Sequence, residues 1–320
     1  MFILLLRFIA SKVQLSLTDE RKFVQWMRIN NNFYTGDEYY LRLGIFLSNA
    51  RYCQEYNRKK GLTFRLGLNK FSCHTPAEYK SILGARKVQN KDIRSSISTK
   101  ITDIPDSFDW RDKGVVNPIK DQADCGSCWA FSAISTSESA YAIATGVLYQ
   151  FSEQDLIDCS PLFGCSGGWP TDALFFIMEV QYGQFMTEQD YPYRALDCAC
   201  QLDYSKLVGK ITSIQKVSEG DENDLKEKVA TYGVASVCIA AGNTPFMSYA
   251  GGILDNDSCS DEIDHAVAVI GYGSENEVDY WIVRNSWGTS WGEDGYVRMV
   301  RNKNNQCSIA SVAIVAIDSE

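Results

Sequence analysis

Apolar positions recur at helical spacing over the first third of the chain and give way to strand-like alternation near its end. Residues 18–31 place Phe23, Trp26 and Met27 on one face, with Thr18 as a cap and Asp19 and Glu20 in the first turn, and Asn30-Asn-Asn32 ends that helix. A longer helix is predicted over 37–59. In it Glu38, Arg42, Phe46, Asn49, Cys53 and Asn57 recur at steps of three and four, which keeps all six on one stripe. Glu38 and Arg42 are spaced to pair, although a plain amphipathic helix accounts for the same pattern. Leu62, Phe64, Leu66 and Leu68 alternate like a strand. Thr75-Pro-Ala-Glu78 is a capping box with Pro at the first helical position, and Gly84 closes the short helix it opens. Residues 85–103 are basic, rich in Ser and Thr and without period, which reads as a linker open to cleavage.

From Ile104 the texture changes. Up to about residue 205 helices and loops dominate. A helix begins at Cys128, carries Ala133, Ile134, Ala140, Tyr141, Ile143 and Ala144 at helical spacing, and stops at Gly146. Ser152-Glu-Gln-Asp155 caps a short helix, and Pro170 opens another with Ala173, Leu174, Ile177 and Met178 on one face. Beyond about residue 206 strands are expected at Val234–Ala240, His265–Tyr272, Tyr280–Asn285, Tyr296–Val300 and Val312–Ile317. Helices first and antiparallel strands second imply an α+β architecture of two subdomains with a cleft between them.

Composition and charge narrow the class. The chain has 320 residues, 45% of them hydrophobic, as in a folded protein with about two domains. No apolar run approaches a membrane span. Residues 1–15 are apolar enough for a short secretory signal, although Arg7 interrupts them and an amphipathic lead-in is the alternative. Eleven cysteines suit an oxidising compartment and leave at least one thiol unpaired. The net charge of −9 divides unevenly, +10 over residues 1–103 and −19 over 104–320. A basic front and an acidic body attract each other, and the acidic body argues against nucleic-acid binding.

The chemistry centres on Cys128. A thiol at a helix N-terminus feels the positive end of the macrodipole, which favours the nucleophilic thiolate. Such a nucleophile needs a base, and the chain holds two histidines, His74 and His265. His74 lies before the expected cut, so His265, opening an apolar strand, is the candidate. Asn285 ends a strand and offers an amide oxygen to orient the imidazole, with Trp287 and Trp291 near enough to shield that bond. The backbone N–H of Cys128 and the side-chain amide of Gln122 are candidate donors to an oxyanion.

Residues 104–320 resemble the papain family of cysteine peptidases, through Cys125-Gly-Ser-Cys-Trp129 with downstream His265 and Asn285. Ile104-Pro-Asp-Ser-Phe-Asp-Trp110 is similar to the family's mature start. Residues 16–84 resemble the cathepsin L-type inhibitory propeptide, whose interrupted helix motif matches Glu38, Arg42, Phe46, Asn49 and Asn57. Protozoan members look similar in that region. The resemblance implies a zymogen: a signal at 1–15, a mainly helical propeptide at 16–84, an activation linker at 85–103 and a peptidase domain at 104–320. The implied fold is papain-like, with a helical left subdomain and an antiparallel, barrel-like right one. It also implies a monomeric cysteine endopeptidase without cofactor or metal, resident in acidic vesicles or secreted. Its expected partners are peptide and protein substrates, its own propeptide and cystatin-like inhibitors. Cys128, His265, Asn285 and Gln122 fall on the nucleophile, base, orienting and oxyanion positions.

Further site residues follow from the same likeness. Gly167 and Gly168 match the wall that pairs with a substrate backbone, and the Asp264 carbonyl matches its second partner. Trp169, Pro170, Cys238, Ile263 and Val312 would line the pocket for the residue two before the scissile bond, which predicts Leu, Val or Phe there. The implied bridges are Cys125–Cys165, Cys159–Cys200 and Cys259–Cys307, with Cys198 an alternative partner for Cys159. Two positions depart from the family: Cys53 stands in place of Ile, and Cys73 in place of an Asp tied to acid-triggered processing. Three rival readings remain. Cys125-Gly-Ser-Cys128 is also the spacing of a redox pair. A papain-like binding protein without activity would have lost the Cys or His. Cys198-Ala-Cys200 is a weak metal motif. Asn256-Asp-Ser258 is a glycosylation sequon for a secreted chain.

Overall fold

The computed structural model describes residues 17–87 and 104–318. The signal at 1–15 and nearly all of the linker at 85–103 lie outside them. The front segment opens with two helices, α1 (Leu17–Ile29) and α2 (Gly36–Tyr56), followed by β1 (Phe64–Leu66) and α3 (Pro76–Ser81). Phe23, Trp26, Leu43, Phe46, Leu47 and Cys73 form its small core. The polar members of the α2 stripe do more than face solvent. Asn57 bonds the Leu66 backbone through both ends of its amide, Asn49 Nδ2 donates to Ser72 O, and Arg42 donates to Cys73 O. Arg42 also makes a bidentate pair with Glu78, holding that carboxyl down to about 2. Its spacing to Glu38 is a looser 3.5 Å contact. One helix face thus clamps the returning strand and the capping box of α3, in which Thr75 and Glu78 cap each other.

The body begins with β2 (Phe108–Asp109) and the long α4 (Cys128–Thr145), then α5 (Glu153–Cys159) and α6 (Pro170–Val180). There follow β3 (Ser213–Lys216), α7 (Glu222–Tyr232), β4 (Ala235–Ile239), α8 (Thr244–Met247) and β5 (Tyr249–Leu254). The chain closes with β6 (His265–Glu275), β7 (Val278–Arg284), β8 (Tyr296–Val300) and β9 (Val312–Ile317). The sheet runs β1-β5-β8-β7-β6-β4-β9-β3, with β2 pairing onto β6. Three features depart from an antiparallel C-terminal half dominated by strands: β5 pairs with β8 in parallel, and α7 and α8 lie among the strands. The front segment adds its own strand, since β1 pairs antiparallel with β5 at the sheet edge.

Two apolar cores stand on either side of α4. One gathers α4, α5 and α6 around Trp129, Ile134, Phe151, Leu174 and Ile177; the other gathers the sheet around Val237, Phe246, Val269, Trp281 and Trp287. α4 is buried along most of its length, including Glu138. That carboxylate, Glu153 and Glu188 surround the one ammonium of Lys120, at 3.8, 2.8 and 3.5 Å. Three buried or half-buried carboxyls facing one cation cannot all be charged cheaply, so burial raises Glu153 towards neutrality. Burial likewise lifts Asp155 to about 6.

Carboxyls raised on folding bind protons more tightly in the native state. Their stabilising effect is full below the ordinary carboxylate range and is lost as pH rises through the folded value. The body should therefore melt lower at pH 7.5 than at pH 5. Glu153→Gln should flatten that dependence, narrowing the gap in Tm by roughly 2–4 °C for a protein of this size. Calorimetry of both proteins across that range checks it; an unchanged gap would contradict the assignment.

Candidate active site

The loop ahead of α4 is fixed before the helix starts. Cys125 is bridged to Cys165, and Gly126 N–H donates to Cys165 O at 2.9 Å. Ser127 occupies the N-cap and its hydroxyl meets Tyr193 Oη at 2.8 Å, while Tyr193 Oη donates to Gln122 O at 2.7 Å. Cys128 is the first residue of α4 and fully buried. The other two bridges are Cys159–Cys200 and Cys259–Cys307. Cys198 is left as a free thiol, its N–H held by Asp158. With Cys125 bridged, the redox-pair spacing has no second thiol to offer Cys128, and with Cys200 bridged the Cys198-Ala-Cys200 motif loses one of its two ligands.

His265 opens β6 directly across the cleft. Its Nε2 lies 2.9 Å from Asn285 Oδ1, an acceptor that also takes Ser286 N–H at 2.8 Å. Nε2 must therefore carry the proton, which leaves Nδ1 as a bare lone pair, and Nδ1 has no hydrogen-bond partner. The Trp287 ring stacks on the imidazole at 4.6 Å, with Trp291 edge-on behind it at 5.0 Å. Gln122 is buried, and its Oε1 accepts from Ser286 Oγ at 2.6 Å. That bond points Nε2 into the cleft. Ser286 thus touches both Gln122 and Asn285, a link that sequence spacing did not signal.

The cleft is filled by residues 82–86 of the front segment, a strap that begins at the helical C-cap residue Ile82. Gln122 Nε2 donates to Ile82 O at 2.9 Å. Gly84 N–H points at Cys128 Sγ at 3.3 Å, and Ala266 N–H reaches the same sulfur at 3.4 Å. Ala85 N–H donates to Asp264 O at 3.1 Å, Gly168 N–H to Gly84 O at 2.9 Å, and Arg86 N–H to Gly168 O at 2.8 Å. Gly167, at φ 124°, turns the wall beside it. Ala85 belongs to one buried cluster with Cys128, Trp169, Cys238 and Ala266, and Ile263 and Val312 pack against it. Pro170 opens α6 next to this cluster without belonging to it. Gly84 was legible only as a helix stop; its second role is close approach, since a Cβ there would lie 1.7 Å from Gly126 O.

The strap reverses the electrostatics expected from α4 alone. A helix N-terminus favours thiolate, but with the strap in place burial pushes the Cys128 thiol up to about 12 against the help of the Ala266 and Gly84 N–H groups. Burial also pushes His265 down to about 4, against its bond to Asn285. The pair is held neutral. The Asp264 carboxyl, which caps Ala241 N–H, is lifted by burial to about 6. The sequon residue Asn256 is 2% exposed, and its Nδ2 donates to Asn243 Oδ1 at 2.9 Å, so the folded chain withholds that amide from modification.

Comparison with known proteins follows the same division of the chain. A family described as papain family cysteine protease matches residues 104–317, and the cathepsin propeptide inhibitor domain matches residues 23–79. The chain is 44% identical to germination-specific cysteine protease 1 of Arabidopsis thaliana over 88% of its own length and 78% of that protein. It is 40% identical to the cathepsin L-like proteinase of Fasciola hepatica, over 90% of each. Among solved structures, digestive procathepsin L 3 of Tenebrio molitor larval midgut superposes with a TM-score of 0.86 at 35% identity, covering 95% of this chain and 100% of that one. These relatives are plant and invertebrate proteins, so the likeness to protozoan members gains no support from them.

Gly84→Ala should prevent the strap from seating against Gly126. The unprocessed variant should alkylate at Cys128 with iodoacetamide at least ~10-fold faster than unprocessed wild type, because the thiol becomes reachable and its thiolate fraction rises. Equal rates, read by mass mapping of the Cys128 peptide, would mean that the strap does not guard the thiol.

Proposed function

Since the chain belongs to the papain family of cysteine proteases and carries that family's propeptide inhibitor domain, we propose that it is an endopeptidase zymogen whose nucleophile is Cys128. The observation that carries this reading is the convergence on one cleft of three groups. They are the Cys128 sulfur, the unpartnered Nδ1 of His265 with its tautomer set by Asn285, and the Gln122 amide already holding a carbonyl oxygen.

The reaction follows from those groups. With the strap gone, solvent and the α4 dipole favour the thiolate, and Nδ1 takes its proton to give an imidazolium–thiolate pair. The thiolate attacks the substrate carbonyl carbon. The resulting oxyanion takes the place of Ile82 O at Gln122 Nε2 and meets the Cys128 N–H. His265 returns the proton to the leaving amine, leaving an acyl-enzyme, and then draws a proton from the water that releases the acyl group. Asn285 holds the imidazole in register throughout, and the stacked Trp287 keeps water from that bond.

Substrate direction explains why the strap is not cut. Ile82 sits at Gln122 and Ala85 in the apolar pocket, so the strap runs opposite to a chain whose carbonyl meets Gln122 one residue beyond the pocket. It offers Cys128 an N–H where a substrate offers a carbonyl carbon. Trp169, Cys238, Ile263 and Val312 line that pocket without an acid at its floor, which favours Leu, Val or Phe two residues before the scissile bond.

Release by acid is part of the same reading, and the basic front on an acidic body is one contribution. His74 is another. Burial lowers its pKa; Glu78 and Asp124 oppose that, whereas Arg42 and Lys70 reinforce it. A histidine depressed on folding contributes stability that is lost as pH falls from its ordinary value of about 6.5 towards the folded one. Acidic vesicles or an acidified secretory route fit the chain's three bridges and this direction of release.

The processed enzyme should cleave fluorogenic peptides with Leu, Val or Phe at that position at least ~10-fold better than Arg, in kcat/KM. Cys128→Ala should abolish the activity. A panel won by Arg would refute the pocket, and retained activity in the variant would refute the nucleophile. Self-processing of purified zymogen, followed by gel, should run faster at about pH 4.5 than at pH 7; equal rates would rule out acid release.

A further inference from the structure

Cys238 is a thiol that the proposed reaction does not use, and it stands beside the one that it does. It lies on β4 directly across from Ala266 of β6. The Ala266 amide donates to Cys128 Sγ at 3.4 Å. The two cysteines therefore flank a single alanine, and with Ala85, Trp169 and Ala266 they make one buried apolar cluster. Cys53 and Cys73 are buried in other cores, so among the described residues this is the free-thiol pair that shares a cluster. Ala85 of the strap sits in that cluster. Its withdrawal on processing opens the pocket within the cluster that Cys128 and Cys238 share.

We propose that in the processed enzyme Cys238 is a resolving thiol for Cys128, converting peroxide damage into a reversible Cys128–Cys238 disulfide. This rests on the reading of Cys128 as the activated thiolate. Hydrogen peroxide transfers one oxygen to that thiolate: an S–O bond forms, the O–O bond breaks, and hydroxide leaves to be protonated to water. The Cys238 sulfur then attacks the sulfenic sulfur of Cys128: an S–S bond forms, the S–O bond breaks, and a second water departs with the Cys238 proton. Peroxide is the oxidant, and the two sulfurs together lose two electrons. Without a neighbour able to resolve it, a sulfenic acid in excess peroxide goes on to sulfinic acid, which small thiols do not reduce. In the zymogen, Ala85 occupies the cluster and the Gly84 N–H covers the Cys128 sulfur, so oxidant reaches the pair only after processing.

The test compares processed wild type with processed Cys238→Ala, each normalised to its own starting activity because Cys238 also lines the pocket. Both are treated with about a tenfold excess of hydrogen peroxide, quenched with catalase and then given dithiothreitol. Wild type should recover at least ~5-fold more of its activity than the variant. Before dithiothreitol, its intact mass should fall by two hydrogens and a digest should contain a peptide joining Cys128 to Cys238, whereas the variant should gain two oxygens on Cys128. Equal recovery, or sulfinic acid on Cys128 of wild type without the joined peptide, overturns the proposal. The mass readout decides it even if turnover is absent. If neither protein shows thiol-dependent cleavage before peroxide, the assignment of Cys128 as nucleophile fails separately.

Discussion

The constraint on which this molecule turns is the burial of one sulfur under five residues of its own front segment. Cys128 stands at a helix end that favours the thiolate, yet the strap removes water from it and supplies an amide N–H instead of a carbonyl carbon. Desolvation outweighs the N–H groups of Ala266, Gly84 and Trp129, so the thiol is held protonated, and burial holds the His265 imidazole neutral. Everything in the propeptide region can be understood as holding that strap at the right height. α2 clamps the loop before α3, α3 delivers Ile82 to Gln122, and Gly84 is the one residue thin enough to pass Gly126.

The docking is apolar and backbone-directed more than ionic. Phe71 and Tyr79 pack edge-on against Trp287 at 4.9 and 5.8 Å, the same indole that stacks on His265. Tyr79 Oη reaches Ala241 O, Asn69 Nδ2 reaches Met247 O, and β1 extends the sheet at β5. The Lys70–Asp121 pair, partly exposed, contributes on the order of 0.5 kcal/mol. The charge asymmetry between front and body therefore steers the two together more than it binds them. Because Trp287 serves both the docking face and the imidazole, undocking and freeing the site are parts of one event.

Local patterns carried much of this into the sequence. The α2 stripe was visible as steps of three and four, and the capping box as Thr75 and Glu78, because both are short-range. What the stripe binds was not visible, since Asn49, Asn57 and Arg42 reach backbone atoms brought round by a turn. α7 carries little local signal because only Leu225 and Val229 of its apolar positions are fully buried and charges surround them. The parallel β5–β8 pairing depends on a long excursion that no local signal encodes. In the site, scarcity singles out histidine, whereas Cys128 and Asn285 stand out by position and likeness. Ser286 and the strap residues do not, because a hydroxyl and a run of small residues have no signature until the fold sets them against Gln122 and Gly168.

The hold of the strap on the Cys128 thiol is read from the pH dependence of Cys128 alkylation, taken on the intact chain and again after removal of the propeptide. The intact chain should label slowly, with no plateau below about pH 10, because the protonated thiol is buried. After processing, the same sulfur should label at a rate that is already level near pH 5, as an imidazolium–thiolate pair requires. Superimposable profiles before and after processing would contradict this, since the strap would then have no hold on the charge state of Cys128.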